Sequence, residues 1–135
     1  MDIQVYNYVL QGLRDYNSTV ENYGNTIEET QPKSKVKFPL TIVKEVRNVV
    51  YGAYTTGYQR VSSIGFLVEI YAKDKGEHTK TQIARELALI ADNYFSSIGL
   101  QRVSFNLDEN QNNGSVCSII LTYNGTLLEN RRRFI

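Results

Sequence analysis

The sequence predicts an α+β domain: a mostly antiparallel sheet of about four strands, with an N-terminal helix and one long helix packed on the sheet. Three observations carry this. Two stretches repeat apolar residues at spacings of three and four, the signature of one buried helix face. Three others place apolar residues at every second position, as strands do, and a fourth is apolar on both faces, as a central strand is. The elements follow one another as helix, strand, strand, helix, strand, strand, an order that suits hairpin-like pairing with helices laid across the sheet. A chain of 135 residues, 41% hydrophobic and 21% charged, supplies apolar material for one core.

The first helix is expected from Asp2 to about Val20. Ile3, Tyr6, Val9, Leu10, Leu13 and Tyr16 form its stripe. Asp2 is the N-cap candidate, since its carboxylate can accept from the free N–H groups of the first turn. Gly12 weakens the middle by roughly 1 kcal/mol relative to alanine. Asn22 to Lys37, with Gly24, Pro32 and five charged residues, reads as a connector.

Phe38 to Arg47 is the first strand. Pro39 is tolerated at its start, where no ladder donor is required. Phe38, Leu40 and Ile42 are expected to bury under the second helix, and the charged end is expected to lead into a subunit contact. Asn48 to Arg60 contains Gly52, Gly57, Tyr51, Tyr54 and Tyr58, and reads as a long loop or loose hairpin. Ser62 to Lys73 is the second strand, half-apolar on its second face and therefore an inner strand.

Lys73 to Lys80 is a turn, with Thr79 or Thr81 available as a cap for a helix over Thr81 to Ile98. Ile83, Leu87, Ile90, Ala91, Tyr94 and Ile98 form its stripe, and Gly99 stands where helices often end. Leu100 to Leu107 is the third strand, with Val103, Phe105 and Leu107 on one face. Asp108 to Gly114 is a turn tip ending in Asn113-Gly114, a pair suited to positive φ. Ser115 to Tyr123 is apolar on both faces and is placed centrally. Asn124-Gly125 marks a further turn, and Thr126 to Ile135 is an edge strand or a tail. The domain thus divides into an N-terminal helix (1–21), an α+β core (38–125) and a terminal edge or docking segment (126–135).

The chemistry is sparse. A formal net charge of +1 creates no global field for nucleic acid or membrane. No run of about 18 apolar residues predicts a membrane span, and no secretory signal is expected. Cys117 is alone, in an apolar run, and reads as a small buried hydrophobe. His78, the single histidine, sits in a charged turn without a companion nucleophile. Glu69 and Lys73 only partly match the acid and lysine spacing of a metal-dependent nuclease, and a surface pair explains them more simply. There is no glycine-rich phosphate loop and no H-E-x-x-H. The expectation is no enzyme and no cofactor. Ten tyrosines without a tryptophan suit surfaces that contact proteins. Arg131, Arg132 and Arg133, followed by Phe134 and Ile135, make a candidate docking peptide.

Several strings together resemble a known family. They are Phe38-Pro39-Leu40, the strand ending Ile70-Tyr71-Ala72, and the helix-to-strand passage Ile98-Gly99-Leu100, set in the element order above. Across roughly residues 1 to 125 the chain resembles the tail terminator (tail completion) proteins of long-tailed bacteriophages, a family related to head–tail joining proteins. The resemblance implies a homo-oligomeric ring, usually a hexamer, at the head-proximal end of the tail tube. Such a ring ends tube polymerisation and offers the surface that joins the head. It implies the major tail tube protein and a head connector or head-closure protein as partners, with no membrane, no specific nucleic acid and no catalytic or metal residues. The location is the virion, after assembly in the host cytoplasm. Loops that would grip neighbours include Tyr51, Tyr54, Tyr58 and Arg60, then Asn112 and Asn113, and the terminal Arg131, Arg132, Arg133 and Phe134. The alternatives are another neck, head-completion or minor capsid component, and a small metal-dependent nuclease or nucleic-acid-binding module using Glu69, Lys73 and the arginine cluster.

Overall fold

Ile64, Phe66, Val68 and Ile70 recur at every second position, and that period makes their strand the spine of the sheet. The computed structural model describes residues 5–31, 36–53, 60–128 and 133–134. Its elements are α1 (Val5–Asn17), β1 (Thr26–Glu28), β2 (Leu40–Ala53), β3 (Arg60–Ala72), α2 (Lys80–Ser97), β4 (Gln101–Asn110), the four-residue α3 (Gln111–Gly114), β5 (Val116–Leu128) and β6 (Arg133–Phe134). The sheet runs β1-β2-β3-β5-β4, with β6 added beside β5. All pairings are antiparallel except β1 with β2. The class is the expected α+β, with both helices on the sheet. The four long strands are the four expected; β1 is additional and short, and β6 falls in the Thr126–Ile135 stretch expected as an edge strand or a tail.

One face of the sheet carries the helices. Phe66 pairs with Tyr123, Val68 with Leu121 and Ile70 with Ile119. Paired residues share a face, and these six side chains are fully buried. They join Val9, Leu10 and Leu13 of α1 and Ile83, Leu87 and Phe95 of α2 in one core. The Phe95 ring stacks on Tyr123 at 4.4 Å between centroids and lies 5.9 Å from Phe66. Burying each such ring removes its area from water, and ring contacts add about 0.5–1.5 kcal/mol per pair.

Gly12 finds its reason here. A Cβ at that position would lie 2.1 Å from the Tyr94 hydroxyl oxygen. That hydroxyl donates to the Val9 carbonyl oxygen at 3.0 Å. The missing side chain seats a tyrosine of α2 against the backbone of α1.

Several boundaries differ from the expectation. α1 ends at Asn17, not Val20, and Asp2 lies outside the described residues. The Asn22–Lys37 connector contains β1, whose single buried residue is Ile27. Arg14 donates through Nε to the Ile27 carbonyl oxygen at 2.9 Å and so ties β1 to α1. The helix cap is Thr79, which accepts from the Gln82 N–H at 3.2 Å, and Gly99 follows at φ +94°. Asn113 and Gly114 adopt positive φ of 58° and 84° at the end of α3.

The first long strand is a correction. Leu40 and Ile42 bury, at 2% and 3% exposure, but not under α2. Leu40 pairs with Tyr71 and Ile42 with Glu69, on the sheet face away from the helices. Thr41 and Val43 take the helix side, opposite Ile70 and Val68. Thr41 tolerates this because its hydroxyl donates to Asn25 Oδ1 at 3.0 Å. Phe38 is half-buried, with the Lys73 ammonium 4.6 Å from its ring centre.

Asn124-Gly125 is no turn. β5 runs through it to Leu128. A Cβ on Gly125 would lie 2.4 Å from Leu100 Cδ2, so the glycine admits Leu100 rather than a reversal.

Candidate functional site

The sequence allows a long loop or a loose hairpin over Asn48 to Arg60, with the first strand ending at Arg47. Instead β2 continues to Ala53, because Asn48, Val49 and Val50 pair with Ile64, Ser63 and Ser62. Two register shifts, between Glu45 and Arg47 and between Val50 and Gly52, bend this part of the strand. Tyr51 stands on the end of β2 and Arg60 on the start of β3. Tyr54 and Tyr58 lie outside the described residues. Residues named on the other two segments divide similarly. Asn112 and Asn113 fall in α3, and Asn113 is exposed. Arg131 and Arg132 lie outside the described residues, while Arg133 and Phe134 form β6. Phe134 is only 9% exposed and belongs to the chain's own core, so it is not a free docking group. The candidate residues therefore form no single cluster among the described residues.

Exposed apolar side chains stand elsewhere than at the residues named above. On β2 these are Val46, Val49 and Val50; on β4 they are Val103 and Phe105; Leu89 of α2 is also exposed. Leu89, Ala88 and Phe105 line one shallow depression with Arg85, Asp92 and Arg102. Val103 leaves the expected face because the β4–β5 register shifts between Arg102 and Ser104. Phe105 and Leu107 keep it, opposite Leu121 and Ile119. A signal for β2 was present: Val49-Val50 continues the β-branched character of the strand beyond Arg47.

Both groups lie on strands with an open side. β1 pairs only with Leu40, Thr41 and Ile42 of β2. Among the described residues nothing pairs with the outer side of β2 beyond Ile42, or with the outer side of β4. Tyr6 of α1 donates its hydroxyl to the Val43 carbonyl oxygen next to the end of β1.

The residues considered for catalysis sit in ordinary surroundings. His78 is exposed in a tight turn with Lys75, its ring 5.0 Å from Tyr23. Glu69 pairs with Lys44 at 3.4 Å across the β2–β3 ladder. Among the described residues, no three His, Cys, Asp or Glu side chains are grouped to hold a metal ion. Cys117 is fully buried, and burial raises its thiol pKa. Burial also pushes Tyr6 and Tyr94 up to about 12. Tyr123 is raised further, first by burial and then by its hydrogen bond to Asp92 Oδ1 at 2.9 Å. Asp92 in turn lies 3.7 Å from Arg102 of β4. Among the described residues no helix is long and apolar enough to cross a membrane. No protein-family model matches the chain, and no curated protein matches it significantly.

Proposed function

We propose that this chain is a structural bacteriophage protein. It forms a ring, a hexamer by the resemblance, at the head-proximal end of the tail tube. The ring ends tube polymerisation and offers the surface that joins the head. Its partners are other copies of itself, the major tail tube protein and a head connector or head-closure protein. It acts without catalysis, first in the host cytoplasm and then in the virion.

The observation that carries this reading is the pairing of a small rigid core with two open sheet edges, in the element order that led to the resemblance. A ring protein must present two different complementary patches, one to each neighbour. The two edges lie on opposite sides of the sheet and carry exposed apolar residues.

Deleting the gene in its phage tests the role. Tails of abnormal length, restored to uniform length by supplying the protein in trans, are the expected result. Tails of normal length beside filled heads that leak DNA would replace this reading with that of a head-completion protein.

A further inference from the structure

The two open edges match each other, and the match has three parts. The first is direction. β2 is antiparallel to β3, β3 to β5, and β5 to β4. β2 and β4 therefore run in opposite directions. Two copies placed side by side in the same orientation bring β4 of one against β2 of the next as an antiparallel pair.

The second part is hydrogen-bond phase. In an antiparallel ladder, opposed residues either both bond each other or both turn away. Followed across β2, β3, β5 and β4, this rule gives the helix-side residues of both outer strands the same sense. If those of β2 point their N–H and C=O groups inward, so do those of β4. An added β2–β4 pair then keeps the alternation with both helix layers on the same side.

The third part is side-chain chemistry. Val50 is on the helix side, opposite Ser62, and Phe105 is on the helix side, opposite Leu121. Setting Val50 against Phe105 fixes the rest of the register. Three steps back along β2 reaches Arg47, and three steps forward along β4 reaches Asp108. Both are exposed and both lie on the far face, paired within the chain to Gly65 and Ser118. The same register sets Val49 against Asn106.

We propose that the distal edge of β2 in one copy pairs with the open edge of β4 in a second copy, with Val50 against Phe105 and Arg47 against Asp108. One sheet then continues through successive copies. Because the two edges differ, the contact is heterologous, and closure into a ring leaves neither edge open. The inference deepens the self-assembly in the proposed function and rests on that reading for ring closure, though not for the pairing itself.

Cysteine pairing tests the register. Val49→Cys and Asn106→Cys chains are purified separately, then mixed and mildly oxidised. The expected result is a covalent dimer in the mixture and none from either variant alone. A covalent dimer from one variant alone shows like edges pairing and overturns the proposal. A charge exchange tests it independently. Arg47→Asp and Asp108→Arg, each placing like charges opposite, weaken self-association in sedimentation by about tenfold or more. The double exchange in one chain restores it. Asp108→Asn, which keeps the acceptor for the Asn110 N–H (2.8 Å), also weakens it. Circular dichroism verifies that each variant is folded. Assembly without the mixed disulfide overturns the edge pairing and leaves the ring reading standing. A chain that stays monomeric with and without purified tail tubes overturns both.

Discussion

The helix-covered centre of the sheet and the far end of the β2–β3 hairpin share two strands but are built differently. At the centre, Phe66, Phe95, Tyr94 and Tyr123 form a chain of ring contacts. The buried tyrosine hydroxyls there have partners: Tyr94 in the Val9 carbonyl and Tyr123 in Asp92. At the far end, β2 is bent twice, and Val46, Val49 and Val50 face solvent. Asn48 Oδ1 and Ser62 Oγ are buried there without a hydrogen-bond partner among the described residues. A buried unsatisfied polar atom costs about 1–3 kcal/mol. Stability is thus concentrated where the helices lie, while the hairpin end keeps its strand geometry with little of that support.

The largest test of this contrast is Phe95→Ala. It removes the ring between Tyr123, Tyr94 and Phe66, and should lower unfolding free energy by about 3–5 kcal/mol in urea melts. A loss below 1 kcal/mol would mean the centre does not carry the fold.

Gly12→Ala comes next. Helix propensity alone predicts a gain of roughly 1 kcal/mol. The Tyr94 hydroxyl leaves no room for the methyl group, so the expected outcome is a loss of about 1–3 kcal/mol. A measured gain would refute the close approach.

The centre should also be the alkali-sensitive half. Tyr6 and Tyr94 titrate near 12 in the folded chain, against about 10 in an unfolded one. The folded state therefore holds those protons more tightly. The associated stability is complete below pH about 10 and falls as pH rises through the folded values. Tyr94→Phe removes one such group, so its unfolding free energy should decline less between those pH values than that of the unaltered chain.

The smallest effect belongs to the far end. Val49→Thr is expected to change unfolding free energy by no more than about 0.5 kcal/mol, as exposed substitutions usually do. A loss of several kcal/mol would erase the distinction between the two regions.

What the sequence revealed follows the same division. Both helices were legible because their stripes are long and uninterrupted: Leu10 and Leu13 in α1, Ile83, Leu87 and Ala91 in α2. The spine β3 was legible from strict alternation. The facing of β2 was not, because Leu40 and Ile42 on one side compete with Val43 on the other. A single hydrogen bond, Thr41 to Asn25, permits the polar residue to face inward. β1 offers one apolar residue in three and has no period to detect. Gly125 resembled a turn signal because sequence does not show Leu100 arriving from the link between α2 and β4. A hairpin over Asn48–Arg60 was one of the two readings its glycines and tyrosines allowed, but nothing in the local pattern marks Val46, Val49 and Val50 as exposed.

The seat of Tyr94 on Gly12 bears on how the molecule opens. α1 and α2 are distant in sequence, and each is anchored to the other through a ring and a backbone carbonyl rather than through a shared loop. Lifting α1 from the sheet exposes the buried face of Tyr94 and strips its hydroxyl of its acceptor. Lifting α2 withdraws the ring that covers the α1 backbone. Neither helix can leave at the energy of its own contacts alone. Their amide hydrogens should therefore exchange with solvent as one cooperative unit, and the pair should behave as a single lid on the sheet.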